Sequence, residues 1–268
     1  MLSSPTVQDV IDALLAPAEG SLPEPTADKL FCGDPSSPVT GIVTAFMPTL
    51  SIIERAAASG ANLVIGHEGL FFSHHERDPE TPESGIAFAK RRRVEQSGVA
   101  VFRCHDGLHR YRPDGIAAGL IEALGWTPYV REHRPEACLL ELPSAPLDVI
   151  AAQIKRRLGL AYLRVSGDAE ASCAKVGVWV GYRGGIHSTV PLIEEHGLDL
   201  VVYGEGPEWE TPEYAREANR LGRSCGLIVL GHAESEEPGM EALAGRLAEK
   251  FPGIPVRHLR EEPLFRIV

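Results

Sequence analysis

The chain has 268 residues, 44% of them apolar and 24% charged, and a net charge of −11. That composition excludes collagen-like, coiled-coil and disordered classes, and the length is enough to bury a core without disulfide or metal staples. The acidic balance argues against a nucleic-acid backbone binder, although it is compatible with a local basic patch.

The first residues carry neither a basic leader nor a long apolar core, so they do not read as a signal peptide, and no stretch approaches the roughly 18 apolar residues of a membrane span. Thr6 is placed as an N-cap, with Val7, Val10, Ile11 and Leu14 on one face of the helix that follows. Strand–helix units then repeat. Residues 41–45 read as a strand, Thr49 caps a helix to Ala58, and 63–66 form the next strand. The segment 73–84, rich in His, Glu, Pro and Asp, reads as an exposed loop; 86–97 is a helix, 99–102 a strand and 113–124 a helix. The arginine run 91–93 on that first helix reads as a solvated face.

Beyond a soft boundary at 126–138, strands are expected at 139–142, 176–180, 198–203, 227–230 and 256–259. Helices are expected at 147–158, 188–196, 211–221 and 239–250. Such alternation implies an α/β protein with mostly parallel strands. We divide it into a first unit over 1–130 and a second over 131–268, with the C-terminus free to cross back. Five cysteines (Cys32, Cys104, Cys138, Cys173, Cys225) are scattered without a CxxC pair, which argues for a reducing, cytoplasmic setting and for buried small side chains.

Three apolar strands each run into a histidine. ANLVIG leads to His67 and Glu68; VAVFRC leads to His105, with His109 four residues on; GLIVLG leads to His232, with Glu236 four residues on. Ligand sites of open α/β sheets form at the carboxyl ends of parallel strands, and imidazole with carboxylate is the donor set of zinc, manganese or iron. One histidine after a strand is more often a loop residue than a ligand; three with nearby acids point to a shared metal site. The turn GYRGGIHS, carrying Arg183 and His187, resembles an anion-binding turn but lacks a Walker lysine, and is otherwise a tight turn. Glu205 reads as a supporting group or a simple turn acid. His74 and His75 sit in the polar loop, while His133, His196 and His258 read as surface or packing residues. Cys104 beside His105 offers a third chemistry, an acyl or redox nucleophile.

The segments 28–34, 52–72, 101–109, 197–210 and 226–239 together resemble the Nif-three-like family of dinuclear metal-centre hexameric proteins, whose members include GTP cyclohydrolase type-1 type-2-like proteins. The last of these segments, GHAESE, is the most specific. The family's second paired histidine corresponds to Glu68 and its aspartate ligand to His109. The matching positions His67, Glu68, His109, His232 and Glu236 still hold three histidines and two carboxylates.

The resemblance implies two linked α/β units with mixed, mostly parallel sheets and a metal site between them, assembled as a toroidal homohexamer. It implies two divalent ions (zinc, manganese or iron) and hydrolysis of a nucleotide or other phosphorylated small molecule. Glu68 would bind metal or transfer protons, His105 would support the ligands or transfer protons, and Arg183 and His187 would hold a substrate anion. The alternative is a non-catalytic metal-storage, metal-delivery or scaffold protein. Neither membrane nor nucleic acid is an expected partner.

Overall fold

The computed structural model of the chain describes residues 4–74, 85–265 and 268. It consists of two compact units: Met1–Gly115 with Met240–Val268, and Ile116–Gly239. Most of the predicted loop at 73–84, with His75, lies outside the described residues.

The first unit opens with α1 (Val7–Leu15), capped as expected. Thr6 Oγ1 accepts from the Asp9 N–H while the Asp9 carboxylate takes the Thr6 N–H, and Val7, Val10, Ile11 and Leu14 are buried. Its sheet is ordered β1 (Lys29–Cys32), β4 (Ala100–Arg103), β3 (Leu63–Gly66), β2 (Ile42–Ala45), β11 (Val256–His258). The last four are mutually parallel, and β1 is an antiparallel edge. β2, β3 and β4 are buried throughout, as continuous apolar runs in a covered parallel sheet should be. Ile52, Ile53 and Ala56 of α2 (Leu50–Ala58) and Val94 of α3 (Gly85–Ser97) pack with Val43, Val64 and Val101. Arginines 91–93 lie on the exposed face of α3. The short α4 (Asp106–His109) follows β4.

The second unit's sheet is ordered β5 (Val130–His133), β6 (Cys138–Pro146), β8 (Ser172–Trp179), β9 (Leu200–Tyr203), β10 (Gly226–Val229), β7 (Arg164–Ser166). Only β8, β9 and β10 are parallel to one another; the flanking strands run antiparallel, so this sheet is more mixed than the sequence alternation suggests. The helices α5 (Gly115–Leu124), α6 (Leu147–Leu158), α7 (Ile186–His196) and α8 (Thr211–Arg220) accompany it. The core joins Trp179, Val201, Tyr203 and Leu227 to Leu192, Ile193 and Ala215. The five cysteines are free thiols, four of them buried.

One helix starts earlier than its sequence suggests. α9 (His232–Lys250) contains Pro238–Gly239 rather than beginning at 239. The glycine serves packing: a Cβ at Gly239 would lie 2.6 Å from Ile116 Cα, and one at Gly119 would lie 2.5 Å from Gly239 Cα. The two helix backbones therefore cross at closest approach, and the extended α9 places His232 in its first turn.

The Thr6 cap supplies a local test. Thr6→Ala is expected to lower stability by about 1 kcal/mol in urea unfolding; an unchanged midpoint would show that the box contributes nothing.

Candidate metal centre

In the first unit, β3 ends at Gly66 and delivers His67 and Glu68; β4 ends at Arg103 and delivers His105 after Cys104. The β4–α4 turn is tied down by Asp28, whose carboxylate accepts the N–H groups of His105 (2.5 Å), Asp106 (2.9 Å) and Gly107 (2.8 Å). Burial raises the Asp28 pKa against the pull of those N–H groups. One turn on, the His109 N–H bonds the His105 carbonyl, so both imidazoles lie on one face of the turn.

The three rings meet. His67 and His105 stack with centroids 4.5 Å apart, and His109 stands edge-on to both at 5.0 and 4.8 Å. The ligand atoms of His67, His105 and His109 lie within 4.8 Å of one another. Each Nδ1 faces an oxygen acceptor: the Cys104 carbonyl at 3.1 Å for His67, Asp106 Oδ1 at 3.1 Å for His105, and Asp114 Oδ2 at 2.9 Å for His109. Those acceptors place the proton on Nδ1 and the lone pair on Nε2. Burial pushes the His105 pKa down to about 3; Asp106 opposes the fall, and His67 and His109 add to it. Burial alone would raise Asp106, but hydrogen bonds from His105, the Ala27 N–H and Thr26 hold it well below the usual carboxylate range.

Glu68 lies beside this group and is engaged by a buried cation. Arg103 Nη2 is 2.7 Å from Glu68 Oε2 and 3.0 Å from His74 Nδ1; its other nitrogens bond the His67 and His74 carbonyls. The Arg103 side chain is only 2% exposed. Glu68 Oε1 faces His105 Nε2 at 3.8 Å. Exposed His74 thus reaches the cluster through Arg103 and an edge-on contact with His105.

The second unit builds a smaller set. β10 runs through Leu230 and Gly231 into His232, the first residue of α9, and Glu236 lies one turn on. His232 Nδ1 faces Glu205 Oε2 at 3.0 Å and its Nε2 faces Glu236 Oε2 at 3.3 Å. Glu205, at the end of β9, is therefore the orienting partner of His232. Gly181, with φ +60°, leaves room for the acid: a Cβ there would sit 2.3 Å from Glu236 Oε1. Buried Ser235 accepts the Gly181 N–H and donates to the His232 carbonyl, locking the turn to the helix.

Part of the turn at 181–185 is tied to the rest of the second unit. The Gly181 N–H goes to Ser235, the Gly184 N–H to the Glu205 carbonyl and the Ile186 N–H to the Glu210 carboxylate. Arg183 beside it is half-buried and His187 exposed. Burial raises the Cys104 thiol well above its ordinary pKa, which leaves it a packing residue rather than a nucleophile. His258 bonds Thr44 and His196 meets Arg134, as packing residues do.

Sequence reading did not single out Arg103 and Asp114. A charged residue ending the apolar run VAVFR was the available signal for Arg103, since a buried arginine requires a partner. Asp114 carried no such signal.

The donor chemistry fits divalent metal: imidazoles each with Nδ1 facing an oxygen acceptor, and carboxylates alongside. Fold and side chains together define a two-unit α/β protein with candidate metal-ligating histidines and carboxylates at strand ends. The chain belongs to the Duf34/NIF3 (NGG1p interacting factor 3) family, whose sequence model matches residues 6–263. It is 25% identical over 245 residues to a "GTP cyclohydrolase 1 type 2 homolog" of Deinococcus radiodurans, covering 90% of this chain and 87% of that one. Among solved structures it is similar to protein ybgI, of unknown function (TM-score 0.76, 24% identity, 96% and 97% of the two chains). It also resembles a Bacillus cereus protein related to NIF3 (TM-score 0.75, 15% identity, 99% and 100%). Among the described residues, no helix is long and apolar enough to cross a membrane.

Arg103→Met is expected to destabilise the protein by roughly 3–5 kcal/mol, because the Glu68 charge is left buried and uncompensated. Adding Glu68→Leu should recover a large part of that loss in urea unfolding. A double variant no more stable than the single one would show that the cost is lost packing instead.

Proposed function

We propose that this protein binds two divalent metal ions and hydrolyses a nucleotide or related phosphorylated small molecule. The observation that supports this most is the shared construction of four imidazoles, His67, His105, His109 and His232, each with Nδ1 turned to an oxygen acceptor. The donors assigned are His67, Glu68 and His109 in the first unit and His232 and Glu236 in the second. Divalent ions held by such groups supply Lewis-acid activation of water and stabilise oxyanion charge.

The remaining steps fall to the chain. Glu68 has one oxygen on Arg103, which leaves Oε1 as its metal-facing oxygen, and His105, with Nε2 3.8 Å from that oxygen, stands where it can pass a proton. Glu205 holds the His232 ring so that Nε2 stays directed toward Glu236. Arg183 offers a half-buried guanidinium to a phosphate, with His187 at the start of α7. The curated relative's name, GTP cyclohydrolase 1 type 2 homolog, points to nucleoside triphosphates as the first substrates to try. The family resemblance adds a homohexamer to this reading, and the free thiols fit a reducing cytoplasm.

The test is turnover of a panel of nucleotides and phosphoesters by purified protein. Activity should disappear on chelation and return with one metal among zinc, manganese and iron. Stoichiometric metal uptake and exchange with no turnover would instead support metal storage, delivery or scaffolding. A second check is metal analysis: about two ions per chain are expected, falling in His232→Ala/Glu236→Ala. Trace metal only, or an undiminished complement in that variant, would contradict the reading.

A further inference from the structure

We propose that Tyr182 and Trp209, on two cross-bonded loops of the second unit, are stacking residues for the purine base of a nucleotide. The inference rests on the nucleotide reading above and deepens it, by naming what receives the part of the substrate that metal ligands and arginine do not recognise.

Both rings stand in water on a rigid mount. The chain has three tryptophans. Trp126 and Trp179 are fully buried, whereas Trp209 is 76% exposed and Tyr182 62% exposed. A single exposed aromatic needs no explanation. These two lie on adjoining loops, 181–185 and 204–210, that are bonded to each other. The Glu205 N–H donates to the Gly181 carbonyl and the Gly184 N–H to the Glu205 carbonyl, each at 2.9 Å. Thr211 Oγ1 donates to the Gly184 carbonyl at 2.7 Å, and the Glu210 carboxylate accepts the Ile186 N–H at 2.7 Å. Glycine lets the two backbones touch: a Cβ on Gly206 would lie 2.7 Å from the Gly184 carbonyl oxygen. Rings carried on such loops have little chain entropy to lose when a flat ligand lies on them.

The same loops hold the second unit's candidate metal donors. Tyr182 directly follows Gly181, where a Cβ would lie 3.2 Å from His232 Nε2. Trp209 lies four residues beyond Glu205, the acid that orients the His232 ring. Metal and Arg183 account for the phosphate end of a nucleotide. Its base presents a flat apolar face that neither a cation nor a carboxylate recognises, and that face stacks on indole and phenol rings. Stacking reads the face and not the edge of a base, so guanine and adenine are received alike and the smaller pyrimidines less well.

The experiment uses the full-length protein freed of metal by chelation, so that nothing turns over. Guanosine, GTP and inorganic triphosphate are the probes, and binding is followed by calorimetry and by tryptophan emission. Guanosine, which has no phosphate, is expected to bind saturably and to quench the exposed tryptophan; inorganic triphosphate is expected to leave the emission unchanged. Trp209→Ala and Tyr182→Ala should each weaken guanosine and GTP about 10-fold, with Trp209→Phe restoring most of the loss. Because both positions are exposed, the urea midpoints of these variants should match wild type. No saturable quenching by guanosine, or unchanged affinity in either alanine variant, would overturn the proposal. So would emission typical of a buried Trp209 together with dissociation of an assembly in Trp209→Ala, which would make this face a contact between copies. Turnover of GTP by metal-loaded protein with KM unchanged in these variants would remove the stacking role and leave the hydrolase reading standing. Guanosine binding without turnover of any nucleotide would do the reverse.

Discussion

An imidazole at the end of a strand becomes a metal donor only when its other nitrogen has somewhere to place a hydrogen. In this chain a backbone carbonyl serves His67, and carboxylates serve His105, His109 and His232. Much of the local architecture exists to supply those acceptors. Asp28 binds three successive N–H groups to shape the turn after β4. Gly181 stays bare so that Glu236 fits, and Gly119 and Gly239 let α5 and α9 approach until α9 can begin at His232. Without these contacts the histidines would be loop residues with undefined tautomers.

Charge balance around Glu68 follows from the same economy of burial. A carboxylate 11% exposed is tolerated because Arg103 meets it at 2.7 Å, and Arg103 is tolerated because two backbone carbonyls take its other hydrogens. The resemblance aligns Glu68 with a histidine and His109 with an aspartate of the family pattern. In this chain Arg103 meets the Glu68 carboxylate, and Asp114 stands behind the His109 imidazole.

Much of the fold was legible in the sequence because the parallel strands are continuous apolar runs and the helices carry caps and one-sided faces, as at Thr6 and Thr49. The strands missed by pattern, β1, β5 and β7, are short edges whose residues follow neither periodicity. The antiparallel flank of the second sheet was hidden for the same reason. At the site, His67 with His109 and His232 with Glu236 could be read from strand ends and helical spacing. His105 was legible at the same strand end, but the turn that sets its place depends on Asp28, 77 residues away in sequence. The acceptors that take the Gly181 and Gly184 N–H groups, Ser235 and the Glu205 carbonyl, are distant in sequence and gave no signal there.

The most direct measurement is a crystal structure of the zinc-loaded protein with anomalous difference maps recorded at the zinc edge. The expected result is a peak within coordination reach of His67 and His109 in the first unit and another within reach of His232 and Glu236 in the second. A map with no peak at either pair would contradict it.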